Sequence, residues 1–322
     1  MGKYDKTLFR APFIILACSL TVLGLSSCKQ QESRSRHPSY TKLLADTLQC
    51  IAADYPGEIG VALIINNTDT ITVNNKNTYP MMSVFKVHQA LAVCNKLDRT
   101  GSSLDDTITI KKSHLDPTTW SPMLKEHAEP QFSLTIKELL CYTLTQSDNN
   151  ASNLMFKKLA GVTETDRFIA TLIPRTSFQI AYTEEDMSAV HARAYSNRTS
   201  PLGAAILMNR LFTDNIISSR KQRFIMNMLK ECATGKDRIV APLPGKEAGV
   251  AVAHKTGSGY VNKNGELVAH NDVAYIRLPD NVSYTLAVFV KNFKGDEAQA
   301  SKAIARISAT VYESLSRPVE QP

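Results

Sequence analysis

The sequence predicts an α+β fold in which a sheet is closed by segments from both ends of the chain and a helical region is inserted between them. Three observations predict it. Five β-rich runs fall near the two ends, helical apolar spacing recurs through the middle, and each end also carries an amphipathic helix. A crevice between the mixed domain and the helical insertion is then the natural binding site.

The elements follow in order. Lys3, Lys6 and Arg10 precede an apolar run from Ala11 to Leu25, which is shorter than the roughly 20 residues a spanning helix needs. That pattern is an export signal over residues 1–27. It closes on Leu25-Ser26-Ser27-Cys28, a lipobox-like sequence that predicts a lipid anchor on Cys28, with cleavage by ordinary signal peptidase as the alternative. A polar tether, 28–38, comes next. Residues 40–54 place Tyr40, Leu43, Leu44, Thr47, Leu48, Ile51 and Ala52 on one helical face, and Pro56-Gly57 ends it. Glu58–Asn66 and Thr70–Val73 read as strands joined by a turn at Asn67-Thr68-Asp69.

In the middle, residues 83–97 carry a broad apolar face. Thr135 with Glu138 three residues later forms a capping box for a helix to about Thr145. Helices are expected over 150–159, over 201–213 after the Ser200-Pro201 cap, and over 218–232. Gly249–His254, Leu267–Leu278 and Ser283–Lys291 read as strands, and a last helix spans 296–315.

Of 322 residues, 43% are apolar and 21% charged, which is ordinary globular composition. A net charge of +7 without a run of five like charges gives nucleic-acid binding little support. Beyond Cys28 the cysteines are Cys50, Cys94, Cys141 and Cys232; they permit three full pairings, and free thiols are an equal alternative. Since the chain has no Cys-x-x-Cys, His-x-His or His-Glu-x-x-His pattern, no zinc ligand set and no metal or other cofactor is expected. His88, His191, His254 and His270 are read as structural residues.

Three short motifs occur once each in a plausible context: Ser83-Val84-Phe85-Lys86, Ser147-Asp148-Asn149 and Lys255-Thr256-Gly257. Ser-x-x-Lys also begins at Ser26, Ser39 and Ser218, so that pattern alone decides nothing. Near Ser83, however, the lysine is embedded among Met82, Val84, Phe85 and Val87. A serine in the first turn of a helix has unpaired backbone N–H groups beside it, and Lys86 at i+3 shares its face. A buried lysine near other cations loses its proton readily and can activate that hydroxyl. Ser147 supplies a proton relay, and the Asn149 amide can hold a substrate carbonyl and Lys86. Lys255 offers a cation to a carboxylate on a strand edge that small residues leave open to a ligand. The backbone N–H groups of Ser83 and Ser258 would form an oxyanion hole, where one donor is typically worth ~3 kcal/mol.

These motifs resemble those of class A serine β-lactamases, from about Tyr40 to Arg317. The wider runs Met81–Lys86 and Thr145–Asn150 are similar to the cephalosporinase branch of Bacteroides and its relatives. The resemblance implies a two-domain fold shared with penicillin-binding proteins. An antiparallel five-stranded sheet flanked by helices (39–80 and 235–322) would be joined by an inserted all-α domain (81–234). It implies hydrolysis of penicillins and especially cephalosporins through an acyl-enzyme on Ser83, giving β-lactam resistance. Lys86, Ser147 and a loop carboxylate would assist, and Asn149, Lys255, Thr256 and Ser258 would bind substrate. In Glu184-Glu185-Asp186-Met187-Ser188 the family's base is Glu184, with Glu185 as the register alternative. The usual Arg–Asp clamp of that loop is missing, with Tyr182 and Asn197 in its place, so Glu184 is expected to be held differently. Asn271 stands where many members have an arginine, and Arg238 in Thr234–Arg238 is expected to supply that cation. Trp120 matches the aromatic gate at the pocket mouth. Neither Met82 nor Gly259 is cysteine, so the disulfide typical of class A carbapenemases is absent and carbapenem turnover is not expected.

The expected protein is therefore a periplasmic, monomeric, lipid-anchored enzyme acting on a small β-lactam. A peptidoglycan transpeptidase or carboxypeptidase, and a penicillin sensor that acylates and stops, are the rivals.

Overall fold

The computed structural model describes residues 38–316; the export signal and the Cys28 lipobox lie outside them. In chain order the elements are α1 (Pro38–Ala53), β1 (Glu58–Ile65), β2 (Asp69–Val73), β3 (Tyr79–Pro80), α2 (Phe85–Thr100), β4 (Thr107–Lys111), α3 (Pro122–Glu126) and β5 (Gln131–Thr135). There follow α4 (Ile136–Thr145), α5 (Asn149–Lys158), α6 (Val162–Ile169), β6 (Phe178–Gln179), α7 (Glu184–Ala189), β7 (Arg198–Thr199), α8 (Pro201–Thr213) and α9 (Ser219–Lys230). The last four are β8 (Ala251–Ser258), β9 (Leu267–Arg277), β10 (Ser283–Phe293) and α10 (Glu297–Ser316).

Five strands form one antiparallel sheet in the order β2-β1-β10-β9-β8, the α+β arrangement expected. Both faces are covered. Tyr284, Leu286, Val288 and Val290 of β10 face a core shared with α1 and α10, while Ala287 and Phe289 between them face the core of the helical region. Alternation of period 2 thus survives although β10 is buried along nearly its whole length. The distant ends close on one another through this sheet, since Glu58–Ile65 pair with Tyr284–Lys291.

The helical middle holds more than helices. Thr107–Lys111 and Gln131–Thr135 form a two-stranded ribbon, and α6 is an additional helix. A third sheet, β3-β7-β6, has strands of only two residues. Small as it is, this sheet positions the site. β3 leads directly into Ser83, and β6 and β7 bracket the loop that carries Glu184. Met81 N–H donates to Asn197 O at 2.8 Å, adding a further tie between the two segments.

Two differences from the expected boundaries bear on the site. Ser83 lies in a 3-10 turn, Met82–Val84, one turn ahead of α2, rather than in the first turn of an α-helix. The strand read as Gly249–His254 spans Ala251–Ser258, so Lys255, Thr256 and Gly257, expected at a strand's end, lie within β8.

Candidate active site

Four elements converge on Ser83. The turn that holds it starts from Met82 at φ 44°, and β8 presses against that turn. A side chain on Gly257 would put its Cβ 2.4 Å from Met81 O and 3.2 Å from Ser83 N. Only glycine permits that approach. It also places the end of β8, with Ser258, beside the Ser83 amide.

Lys86 is completely buried, and its Nζ lies within hydrogen-bond distance of four oxygens, which share its three N–H donors. Nζ lies 3.0 Å from Ser83 Oγ, 2.8 Å from Ser147 O, 3.4 Å from Ser147 Oγ and 2.6 Å from Asn149 Oδ1. An ion pair to Glu184 Oε1 at 2.9 Å completes its surroundings. A charge so far from water persists only with such partners. The Ser83 hydroxyl in turn donates to Glu184 Oε1 at 3.2 Å.

Ser147 sits between two cations. Its backbone, at φ 61°, breaks α4 from α5, and its hydroxyl accepts from Lys255 Nζ at 2.9 Å as well as from Lys86. Such a left-handed backbone is rare for serine and marks a position fixed by its surroundings. Burial pulls the Lys255 ammonium down to about 7, and the nearby Lys86 charge acts in the same direction. Asp148 does not face the reaction centre. It caps α5 through Ala151 N–H at 2.8 Å, accepts from Met123 N–H at 2.8 Å, and binds the Ser121 hydroxyl at 2.9 and 3.0 Å. Its burial raises its pKa even against those donors. Asn149 donates to Thr119 Oγ1 at 2.9 Å, which orients the oxygen it offers Lys86.

Glu184 and Glu185 separate cleanly. Glu184 opens α7, buried toward Ser83, whereas Glu185 is exposed and pairs with Lys157 at 2.5 Å. Thr183 and Asp186 make a reciprocal capping box that fixes the first turn of α7. The missing Arg–Asp clamp is replaced by Asn197, fully buried, which accepts from the N–H groups of Ala181 and Tyr182 and donates to Tyr182 O at 2.8 Å.

Arg238 is buried behind the end of β8. Its guanidinium donates to Gly257 O at 3.3 Å, Asn271 O at 2.7 Å and the Ser258 hydroxyl at 2.5 Å. Its charge therefore meets the edge through Ser258. Asn271 holds the carbonyls of Pro80 and Met81 just before Ser83. Thr256 is bonded to Thr234 at 2.6 Å. Trp120 is exposed; its ring N–H donates to Gln146 O, and its own carbonyl accepts from Asn149 N–H.

The structure thus gathers Ser83, Lys86, Ser147, Asn149, Glu184 and Lys255 in one bonded network, with Thr256, Ser258 and Arg238 along the adjoining strand and Trp120 beside the second motif. Sequence reasoning placed Asn197 at the missing clamp without its partners, and it missed Thr119 and the bracing role of Asp148, whose signal was an aspartate directly before a helix. Among the described residues no group of histidine, cysteine and carboxylate is placed to hold a metal, and the four cysteines are free thiols.

The model of the Beta-lactamase enzyme family matches residues 43–315. A β-lactamase of Phocaeicola vulgatus is 63% identical over 315 residues, 98% of either chain. The crystal structure of the TLA-3 extended-spectrum β-lactamase superposes with a TM-score of 0.82 at 33% identity, covering 86% of this chain and all of that one. A class A β-lactamase from Bacteroides cellulosilyticus gives 0.80 at 30% identity, covering 87% and 99%.

Proposed function

The chain belongs to the class A serine β-lactamase family, and we propose that Ser83 is its nucleophile, Lys86 and Ser147 its proton carriers and Glu184 its hydrolytic base. It hydrolyses the β-lactam amide of penicillins and cephalosporins through a serine acyl-enzyme, and so confers resistance. The observation that carries the assignment is the triangle of Ser83 Oγ, Lys86 Nζ and Glu184 Oε1, with sides of 2.9 to 3.2 Å.

In this reading the substrate lies in the crevice between the sheet-bearing residues 39–80 with 235–322 and the inserted residues 81–234. Ser83 Oγ attacks the lactam carbonyl while its proton passes into the Lys86–Glu184 pair. The developing oxyanion is met by the backbone N–H groups of Ser83 and Ser258. As the C–N bond breaks, the Ser147 hydroxyl gives the departing nitrogen its proton, replenished from the adjoining ammonium groups. Lys255 and Thr256 hold the substrate carboxylate, Asn149 its side-chain carbonyl, and Trp120 lines the entrance. Glu184 then takes a proton from water, the resulting hydroxide adds to the ester, and Ser83 leaves with its hydrogen restored.

We further infer an extended-spectrum cephalosporinase. The support is the Ser258 hydroxyl, braced by Arg238 at the end of β8, together with likeness to the TLA-3 extended-spectrum β-lactamase. Export, a lipid anchor on Cys28 and a monomeric state belong to the same reading. Purified protein mixed with a chromogenic cephalosporin should show sustained turnover; one stoichiometric burst would instead indicate a sensor. A panel of penicillins, early and oxyimino-cephalosporins tests the spectrum, and a preference for penicillins would contradict it.

A further inference from the structure

The chain just past β8 and the segment that follows Glu184 meet away from the reacting atoms. Tyr260, two residues beyond Ser258, donates its hydroxyl hydrogen to His191 O at 2.7 Å. Its ring also lies against the His191 imidazole, with centroids 4.2 Å apart and planes 32° from parallel. Tyr260 is the braced side of this contact. Gly259 N–H donates to Ala269 O at 2.8 Å, Val268 N–H donates to Tyr260 O at 2.9 Å, and Val261 bridges to Leu267. His191 is exposed and opens the 3-10 stretch His191–Ser196, directly after the six residues of α7 and Val190. Farther along that stretch, the Tyr195 hydroxyl donates to Asn292 Oδ1 at 2.7 Å, and the Arg193 guanidinium lies 5.0 Å over the Tyr182 ring.

We propose, on the reading of Glu184 as hydrolytic base, that Tyr260 is a positioning residue for deacylation, clasping the exit of α7 to the end of β8. Glu184 rides on the first turn of α7. The ester carbonyl it serves is held by the oxyanion donors, one of them the N–H of Ser258, two residues before Tyr260. Base and ester thus belong to two different segments, and the Tyr260–His191 contact joins them. Without the usual Arg–Asp clamp, Asn197 ties the entrance of the loop at residues 181 and 182, and Tyr260 ties its exit at residue 191. Acylation depends less on the clasp. Lys86, beside the Ser83 hydroxyl, is held by Ser147 O at 2.8 Å and Asn149 Oδ1 at 2.6 Å, neither of them on that loop. In deacylation the attack of water is directed by the Glu184 carboxylate, so its rate follows the position of α7. Removing the Tyr260 hydroxyl keeps the ring contact, releases the His191 carbonyl and slows the second step.

The test uses the whole protein turning over a chromogenic cephalosporin, quenched in acid and read by intact-protein mass. For Tyr260→Phe the fraction of chains carrying the acyl mass during turnover should rise at least fivefold. Its kcat/KM, set by binding and acylation, should change less than threefold. His191→Ala, which keeps the carbonyl and removes the ring, should raise the acyl fraction at least twofold. Because both act through one contact, the double variant should rise by less than the product of the two single effects. An acyl fraction unchanged in both single variants overturns the proposal. So does a fall in kcat/KM beyond threefold without acyl accumulation, which marks a β8 end that has merely loosened. If Tyr260→Phe fails to fold, His191→Ala decides. Glu184→Gln, run alongside, tells the two failures apart. If it traps no acyl mass and hydrolyses at the unaltered rate, the base assignment fails and the clasp falls with it. If it traps the acyl mass while Tyr260→Phe matches the unaltered protein, the clasp alone fails.

Discussion

Gly257 is the residue at which the fold and the chemistry constrain each other most directly. With Met81 O only 2.4 Å from where a Cβ would stand, Gly257→Ala must push β8 away from the turn that holds Ser83. Displacing reacting groups by about 1 Å is worth on the order of 10²-fold in rate. The variant should therefore keep its far-UV circular dichroism and lose at least tenfold in kcat/KM on a chromogenic cephalosporin, measured by steady-state kinetics. At this scale the sequence was most informative, because Ser83, Lys86, Ser147 and Lys255 sit in short, spaced motifs. Asn197 was not legible in the same way. Its side chain binds the backbone of residues 181 and 182, and such a partner leaves no trace in residue type.

Among the elements, α7 is six residues long and too short to stand by itself, so its capping box matters. Thr183→Ala removes the oxygen that holds Asp186 N–H at 3.1 Å and should cost about 1 kcal/mol. The expected signature is kinetic: deacylation slows more than acylation, so pre-steady-state mixing shows a burst that the unaltered protein lacks. The long helices and the five sheet strands were legible because their apolar periods extend over eight or more residues or end at strong turn signals. The ribbon of β4 and β5 also carried a signal, the alternation of Thr107-Ile108-Thr109-Ile110, lost among helical neighbours. Strands of two residues, such as β3, β6 and β7, offer no period to read, yet they tie the segment before Ser83 to those flanking the Glu184 loop.

For the molecule as a whole, two apolar cores on opposite faces of one sheet enclose histidines that must stay neutral. In the α2 core His88 has neither ring nitrogen hydrogen-bonded, and burial lowers its pKa to about 4. His270, against Ser301, is lowered to about 3 by burial and the Arg238 charge. The unfolded chain binds these protons near 6.5 and the folded chain does not, so their stabilisation is complete above 6.5 and lost as pH falls toward 4. His88→Leu should flatten that acid limb by on the order of 2–3 kcal/mol between pH 6.5 and 4, measured by urea unfolding. The central claim, that Glu184 launches water at an ester on Ser83, is tested most directly by intact-protein mass spectrometry of Glu184→Gln mixed with a cephalosporin. The account predicts that the chain gains a stable acyl mass, mapped to the peptide containing Ser83, while turnover falls by at least 10²-fold. A variant that stays unmodified and hydrolyses at the unaltered rate would contradict it.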